Sequence, residues 1–169
     1  MKDTTPIYFH SATYAHEHGE LDQYHASHKA NIACREAIEQ AIADNYRDNR
    51  LGPACVQQVL QQFDYGRIFY VLANTVRQKD HDGRISRDNK AWAQMVPVCE
   101  DKDGFGYDRS VYFVVDRCNP GLTDLFLSQA RRECVPAQEQ KPSVRDSLNK
   151  NAGQQAHSDR TKAKKEPER

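Results

Sequence analysis

The side chains best placed for chemistry are aspartates in two short loops. Lys79 to Ser86 reads KDHDGRIS and Glu100 to Gly106 reads EDKDGFG, so Asp-x-Asp-Gly occurs twice. That pattern resembles the front half of a calcium loop, which needs oxygen ligands at positions 1, 3, 5 and 12, Gly at 6 and an apolar residue at 8. With Gly83 at position 6, Asp80, Asp82 and Ile85 fall correctly, but positions 1 and 12 are Gln78 and Asn89. The second loop places Asp101 and Asp103 correctly and puts Cys99, Gly106 and Ser110 at positions 1, 8 and 12. Neither loop has the bidentate carboxylate that completes the cation's shell. The reading preferred over metal is therefore a pair of turns, with Asp-Gly favouring a tight bend and the flanking Asp bonding local backbone.

Histidine, cysteine and glycine offer three further chemistries. His25 and His28 lie three apart, with His16 and His18 just upstream, but no H-E-x-x-H completes a tetrahedral zinc site. These side chains are expected to be solvated. Tyr24, Ser27, Asn31 and Cys34 make a polar stripe, and a thiol near histidines is a nucleophile only where a cation or helix terminus lowers its pKa. None is arranged so beside Cys34, which is expected to be buried and inert. The five cysteines contain no C-x-x-C, and no Walker or dinucleotide loop occurs. The expectation is a non-enzymatic protein without cofactor or metal.

The elements that must position these loops belong to a chain of 169 residues, enough for one domain. Lys and Arg total 24 and Asp and Glu total 24, which gives no general affinity for nucleic acid or anionic membrane. Val135–Arg169 holds eight basic and five acidic residues, leaving sixteen basic against nineteen acidic before it. All aromatic side chains precede residue 127, and a segment without them cannot bury enough apolar surface to offset its ordering entropy. Residues 1–134 are thus expected as the globular domain and 135–169 as a disordered basic tail, with a short helix near 142–150. No apolar run would span a bilayer and MKDTTPIYFH lacks the apolar core of a signal peptide, which points to a cytoplasmic protein.

Within the body the apolar periodicity is helical. Ser11 to His18 reads as a short helix ended by Gly19, and Glu20 to about Tyr46 as a long one. Val56, Val59, Leu60 and Phe63 form an amphipathic stripe after Gly52-Pro53. Ile68, Val71, Leu72, Thr75 and Val76 form another, whose β-branched content also suits a strand. Ser86 can cap a helix carrying Ala91, Trp92 and Met95, and Asn119-Pro120 opens a last helix. The fold class expected is α+β: a predominantly helical domain with a small β element near 84–86 and 111–115. The expected core is Leu21, Tyr24, Ile38, Ile42, Val56, Val59, Leu60, Phe63, Val71, Leu72, Trp92, Phe113, Leu125 and Phe126.

Three strings carry a family resemblance: SATYAHEHGELDQYHASHKANIACREAIEQAI from Ser11, FYVLANTVRQKDHDGRISRDNKAWA from Phe69, and NPGLTDLFLSQARRE from Asn119. Across most of residues 8–133 the chain resembles a bacterial domain of unknown function carried on conjugative elements and phages of gut Firmicutes. Its most specific motifs are YVLANTV and DGRxSxxNKxWA. Arg117-Cys118-Asn119 departs from the Ser-His pair expected ahead of Pro-Gly. The resemblance implies a protein that helps mobile DNA survive in a new host. One such role is an anti-CRISPR, binding the RNA-guided nuclease complex of a type II system and blocking DNA engagement or cleavage. The alternative is a regulatory or DNA-transfer accessory module working through other protein contacts. An acidic body could enter the basic channel of such a nuclease. The expected contact residues are Asp80, Asp82, Arg84, Asp101 and Asp103 on the loops and Glu20, Asp22 and Arg35 on the long helix.

Overall fold

The computed structural model describes residues 1–99 and 114–134, all within the compact unit Met1–Cys134. Several helices start on a side-chain cap that the sequence supplies. Ser11 Oγ accepts the Tyr14 N–H at 3.0 Å and opens α1 (Ala12–Glu17), and Gly19 follows in the left-handed region at φ 67°. The long helix α2 (Leu21–Asn45) buries Ser27, Ala30, Asn31, Cys34, Ile38, Ala41 and Ile42 on one stripe. Two short helices follow, α3 (Cys55–Leu60) and α4 (Tyr65–Gln78), the latter capped by Asp64 Oδ1 accepting the Arg67 N–H at 2.9 Å. Helix α5 (Arg87–Met95) starts on Ser86, and Arg77 of α4 closes its other end by donating to the carbonyls of Ala93, Gln94 and Val96. Helix α6 (Pro120–Cys134) packs against α2, α3, α4 and α5.

At 68–76, where the β-branched residues also suit a strand, the chain is helical. Tyr70 to Val76 are all buried, so α4 is the central element. Polar side chains on it are satisfied within the helix: Asn74 donates to the Tyr70 carbonyl at 2.8 Å and Thr75 to that of Val71 at 2.7 Å. Of the expected core, Ile38, Ile42, Val56, Val59, Phe63, Val71, Leu72 and Phe126 are buried. Leu21, Tyr24, Leu60 and Trp92 are half-buried, and Phe113 lies outside the described residues.

Among the described residues the β element lies at 46–51 rather than at 84–86. It is a hairpin of β1 (Tyr46–Arg47) and β2 (Arg50–Leu51), antiparallel, with Tyr46 opposite Leu51 and Arg47 opposite Arg50. Asp48 and Asn49 turn it with φ of 53° and 61°, the left-handed pair that a two-residue loop requires and that Asp and Asn tolerate. Arg84 to Ser86 form no strand, because the Asp82 carboxylate ties the chain into a turn and Ser86 is committed to capping α5. Val111 to Phe113 lie outside the described residues; Val114 and Val115 are buried without strand pairing, and the Val115 N–H goes to Thr75 Oγ1 at 3.1 Å. Leu125 is also corrected: it is 47 % exposed, because α6 turns Thr123, Phe126, Leu127 and Ala130 inward instead. The tail and its short helix near 142–150 lie outside the described residues.

Leu72 is fully buried in the middle of α4. Leu72→Ala should cost about 2 to 5 kcal/mol in chemical denaturation, the transfer loss plus a cavity. A cost below about 1 kcal/mol would mean that α4 is not the centre of the core.

Candidate functional site

The first Asp-x-Asp-Gly loop closes on itself. Asp82 Oδ1 accepts the Arg84 backbone N–H at 2.9 Å and its Nε–H at 3.0 Å, and Oδ2 accepts Nη2–H at 2.8 Å. Those bonds hold the Asp82 carboxyl far below its usual range. Asp82 and Arg84, two expected contact residues, thus neutralise one another, while Asp80 is exposed beside them. Asp101 and Asp103 lie outside the described residues. On the long helix, Glu20 Oε2 accepts the Tyr8 hydroxyl at 2.7 Å, and Arg35 pairs with Glu36 at 3.5 Å and Glu39 at 3.9 Å. Asp22 is exposed in the first turn of α2. Of the six described residues, Asp82, Arg84, Glu20 and Arg35 serve local bonds.

The second and third sequence strings meet in space. Asn89, 1 % exposed, donates through Nδ2 to Asp124 Oδ1 at 2.7 Å and Ser128 Oγ at 3.0 Å, and its Oδ1 accepts Arg131 Nη1–H at 2.7 Å. Asp124 Oδ1 also accepts the Ser86 N–H at 2.9 Å, and the Arg131 guanidinium lies 5.7 Å from the Trp92 ring centre. The Ser, Asn and Trp of DGRxSxxNKxWA thus bolt α5 to α6, and their job is structural. Asn119 has a similar one. Its Oδ1 accepts the Gly121 N–H at 2.8 Å, so the departure from the expected histidine supplies a helix cap.

Two buried charged groups were missed by the sequence reading. Arg67, 3 % exposed, donates through Nη1 to Ser27 O at 3.2 Å, Ser27 Oγ at 3.1 Å and Asn31 Oδ1, and through Nη2 to Thr5 O at 2.7 Å. Glu39 Oε1 accepts the N–H groups of Asp116 and Arg117 at 3.2 and 3.4 Å and so anchors the segment before α6 to α2. Cys34 is buried, and loss of solvent pushes its thiol pKa up well beyond the effect of Arg67 nearby. Burial likewise pushes Cys55 up to about 12. Neither thiol is poised as a nucleophile.

What remains is a surface made by the N-terminal segment, α1 and the start of α2. His10 stacks on Tyr14 with ring centres 4.0 Å apart, and Tyr14 on His18 at 3.8 Å, while His18 Nδ1–H donates to the Tyr14 carbonyl at 2.9 Å. The column continues edge-on from His10 to Tyr8 at 5.6 Å and Tyr8 to Tyr24 at 6.1 Å, and Tyr24 stacks on His28 at 6.0 Å. The Tyr8 hydroxyl is held up at about 12, by loss of solvent and by the Glu20 carboxylate it bonds. His10, His16, His18 and His25 are exposed, and among the described residues no group of three or more His, Cys, Asp or Glu is set to hold a metal ion. His16, His18 and His25 are exposed as expected, and His10, His18 and His28 in addition stack on tyrosine rings. The signal was present in the four-residue spacing of His10, Tyr14 and His18, which puts the last two on one helix face.

A family model described as a protein of unknown function (DUF3849) matches residues 7–135. The chain belongs to that family. No curated protein and no solved structure matches it. The match spans all three strings, the Tyr and His column together with the α5–α6 joint. No helix among the described residues is long and apolar enough to cross a membrane.

Three measurements check these assignments. Calcium at millimolar concentration should not shift the melt, since a ligand bound only by the native state would raise it by mass action. An upward shift with calcium and not sodium would overturn the turn. Asp44, Asp82 and Asp116 are each held below the ordinary carboxyl range by Gln58, Arg84 and Lys79 respectively. Their contribution to stability is complete above the unfolded pKa of about 3.9 and is lost as pH falls below it, so melts should drop on the acid side and Arg84→Ala should flatten part of that drop. At the α5–α6 joint, Asn89→Leu leaves the half-buried Asp124 and Arg131 without this partner and should cost about 1 to 3 kcal/mol in denaturant melts; a neutral result would release Asn89 from its structural role.

Proposed function

We propose that this protein acts without catalysis, by binding another protein through the Tyr and His surface of residues 8–28. The observation that carries the reading is the ring column from His18 through Tyr14, His10, Tyr8 and Tyr24 to His28. Tyrosine supplies a large, rigid, amphipathic contact at low entropic cost, and mutual stacking fixes these rings before any partner arrives. Among the described residues, the other two family strings are occupied by internal joints. Tyr8 is held to Glu20 and, through its N–H, to Ser27 Oγ at 3.0 Å, so the column stands on a rigid base.

The partner we propose is an RNA-guided nuclease complex of a type II defence system, met inside the cell, with blocked DNA engagement or cleavage as the outcome. Resemblance to proteins of conjugative elements and phages supports this choice. The acidic loops support it less than the sequence suggested, since Asp82 is neutralised by Arg84. A regulatory or DNA-transfer module of a mobile element is the second reading.

The test mixes the purified chain with several type II nuclease–guide complexes and follows DNA cleavage and co-elution. Tyr14→Ala and Tyr24→Ala, which remove ring contacts at the surface, should each weaken inhibition about tenfold or more. Asp22→Lys and Asp80→Lys should change it little. If the charge reversals abolish inhibition and the tyrosine variants do not, the surface is misplaced. If no nuclease is bound at micromolar concentration, the inhibitor reading falls and a pull-down from cells carrying the parent element tests the transfer module.

A further inference from the structure

A second surface is built on the hairpin. The two-residue turn at Asp48 and Asn49 sets Arg47 directly opposite Arg50, so both side chains leave one face of the ribbon with Cβ atoms about 5 Å apart. Like charges in that position destabilise a strand pair, and a ribbon with two residues a side has little else to hold it. Both arginines are exposed, and among the described residues neither side chain makes a hydrogen bond or an ion pair. Two neighbouring acids are bonded to neutral amides instead. Asp44, just before β1, accepts from Gln40 at 2.8 Å and Gln58 at 2.9 Å, and Glu133 of α6 accepts from Gln57 at 2.9 Å and Gln129 at 3.1 Å. Arg132 of α6 is also exposed and shares a groove with Leu51 of β2, so a third cation stands at the edge of the hairpin.

We propose that this face binds the phosphodiester backbone of a single-stranded nucleic acid. A guanidinium presents its donors in a planar fork that fits phosphate oxygens two at a time, and two forks held side by side meet neighbouring phosphates of one strand. A partner of repeated negative charge also removes the repulsion between Arg47 and Arg50 that the free protein bears. The ribbon is braced for this before any partner arrives. At its base the Gly52 N–H donates to the Asn45 carbonyl at 2.8 Å, and across the turn the Tyr46 hydroxyl donates to Asn49 Oδ1 at 3.3 Å. Tyr46, 38 % exposed, thereby offers a fixed ring to a base, the aromatic companion that single-strand binders set beside their cations. That ring favours a nucleic acid over an acidic peptide, whose carboxylates have no face to stack. The formal net charge of +0 for the whole chain hides this local excess. The hairpin follows the last residue of α2, whereas the ring column sits at its first turns, so the proposal does not rest on the nuclease reading.

The test uses the full chain with labelled oligo-uridine, oligo-thymidine and poly-glutamate, and no nuclease. Fluorescence anisotropy at low salt should show binding to both oligonucleotides that weakens as salt rises. Arg47→Ala combined with Arg50→Ala should weaken it about tenfold and reduce the slope of log affinity against log salt by about 1.4, the counterions released by two phosphate contacts on a single strand. The same variant should melt at an equal or higher temperature, since it loses a like-charge pair. Arg50→Glu, which sets an opposite charge across from Arg47, should weaken binding further in a protein that melts no lower. Tyr46→Ala should weaken binding and leave the salt slope unchanged. The proposal is overturned if the wild-type chain binds neither oligonucleotide at about 100 µM in about 50 mM salt. It is equally overturned if the double variant keeps the wild-type affinity and slope, which would move binding to the eight basic residues of 135–169, or if poly-glutamate binds as tightly as the oligonucleotides.

Discussion

A buried guanidinium holds the rest of this molecule in register. Arg67 belongs to α4, yet its donors go to Ser27 and Asn31 on α2 and to the Thr5 carbonyl of the N-terminal segment. Burial disfavours its charge, and the bonds that compensate are to neutral oxygens. A planar fork with five donors can join three separate pieces of backbone where an apolar side chain would join none. The N-terminal segment has no regular structure of its own over its first nine residues and is fixed by such links: Asp3 N–H to the Gln62 carbonyl at 2.7 Å, Thr5 to Arg67, Tyr8 to Ser27 and Glu20. The stacked Tyr and His column is therefore held in place by a polar node beneath it.

The same logic recurs wherever helices meet. Asn89 joins α5 to α6, Glu39 joins α2 to the segment before α6, and Arg77 closes the end of α5. Apolar packing fills the space between helices but is tolerant of small slides, whereas a satisfied buried hydrogen-bond network has one good geometry. In a domain of this size, with alanine and valine making up much of its core, these nodes are what select one arrangement. They also explain why the Ser, Asn and Trp of the family motif DGRxSxxNKxWA serve as joints. The thiols of Cys34 and Cys55 follow suit, buried where loss of solvent opposes ionisation.

Much of the secondary structure was legible in the chain because its signals are local. Ser11, Asp64 and Ser86 are caps acting over three residues, Gly19 takes a left-handed φ, and the stripes of α3 and α4 repeat within one helix. The Asp-Gly turn at 82–83 was read correctly for the same reason. The hairpin at 46–51 was missed although Asp48-Asn49 is a turn signal, because its strands are too short to show alternation. Leu125 was misjudged because both it and Leu127 fit a helical stripe, and only the position of α6 over α2 to α5 decides which of them faces in.

By itself the sequence determined the helical class, the caps and turns, and the absence of a standard metal or nucleotide motif, all of which depend on residues within a few positions of one another. It also placed the three strings that mark the family. Tertiary structure alone decided that Asp82 is spent on Arg84 and Glu20 on Tyr8, that Asn89 meets Asp124 across 35 positions, and that Thr5 meets Arg67 across 62. A side chain's availability for function depends on what fills its hydrogen-bonding capacity and covers its surface. Those partners come from distant segments, and no local pattern encodes the distance between them.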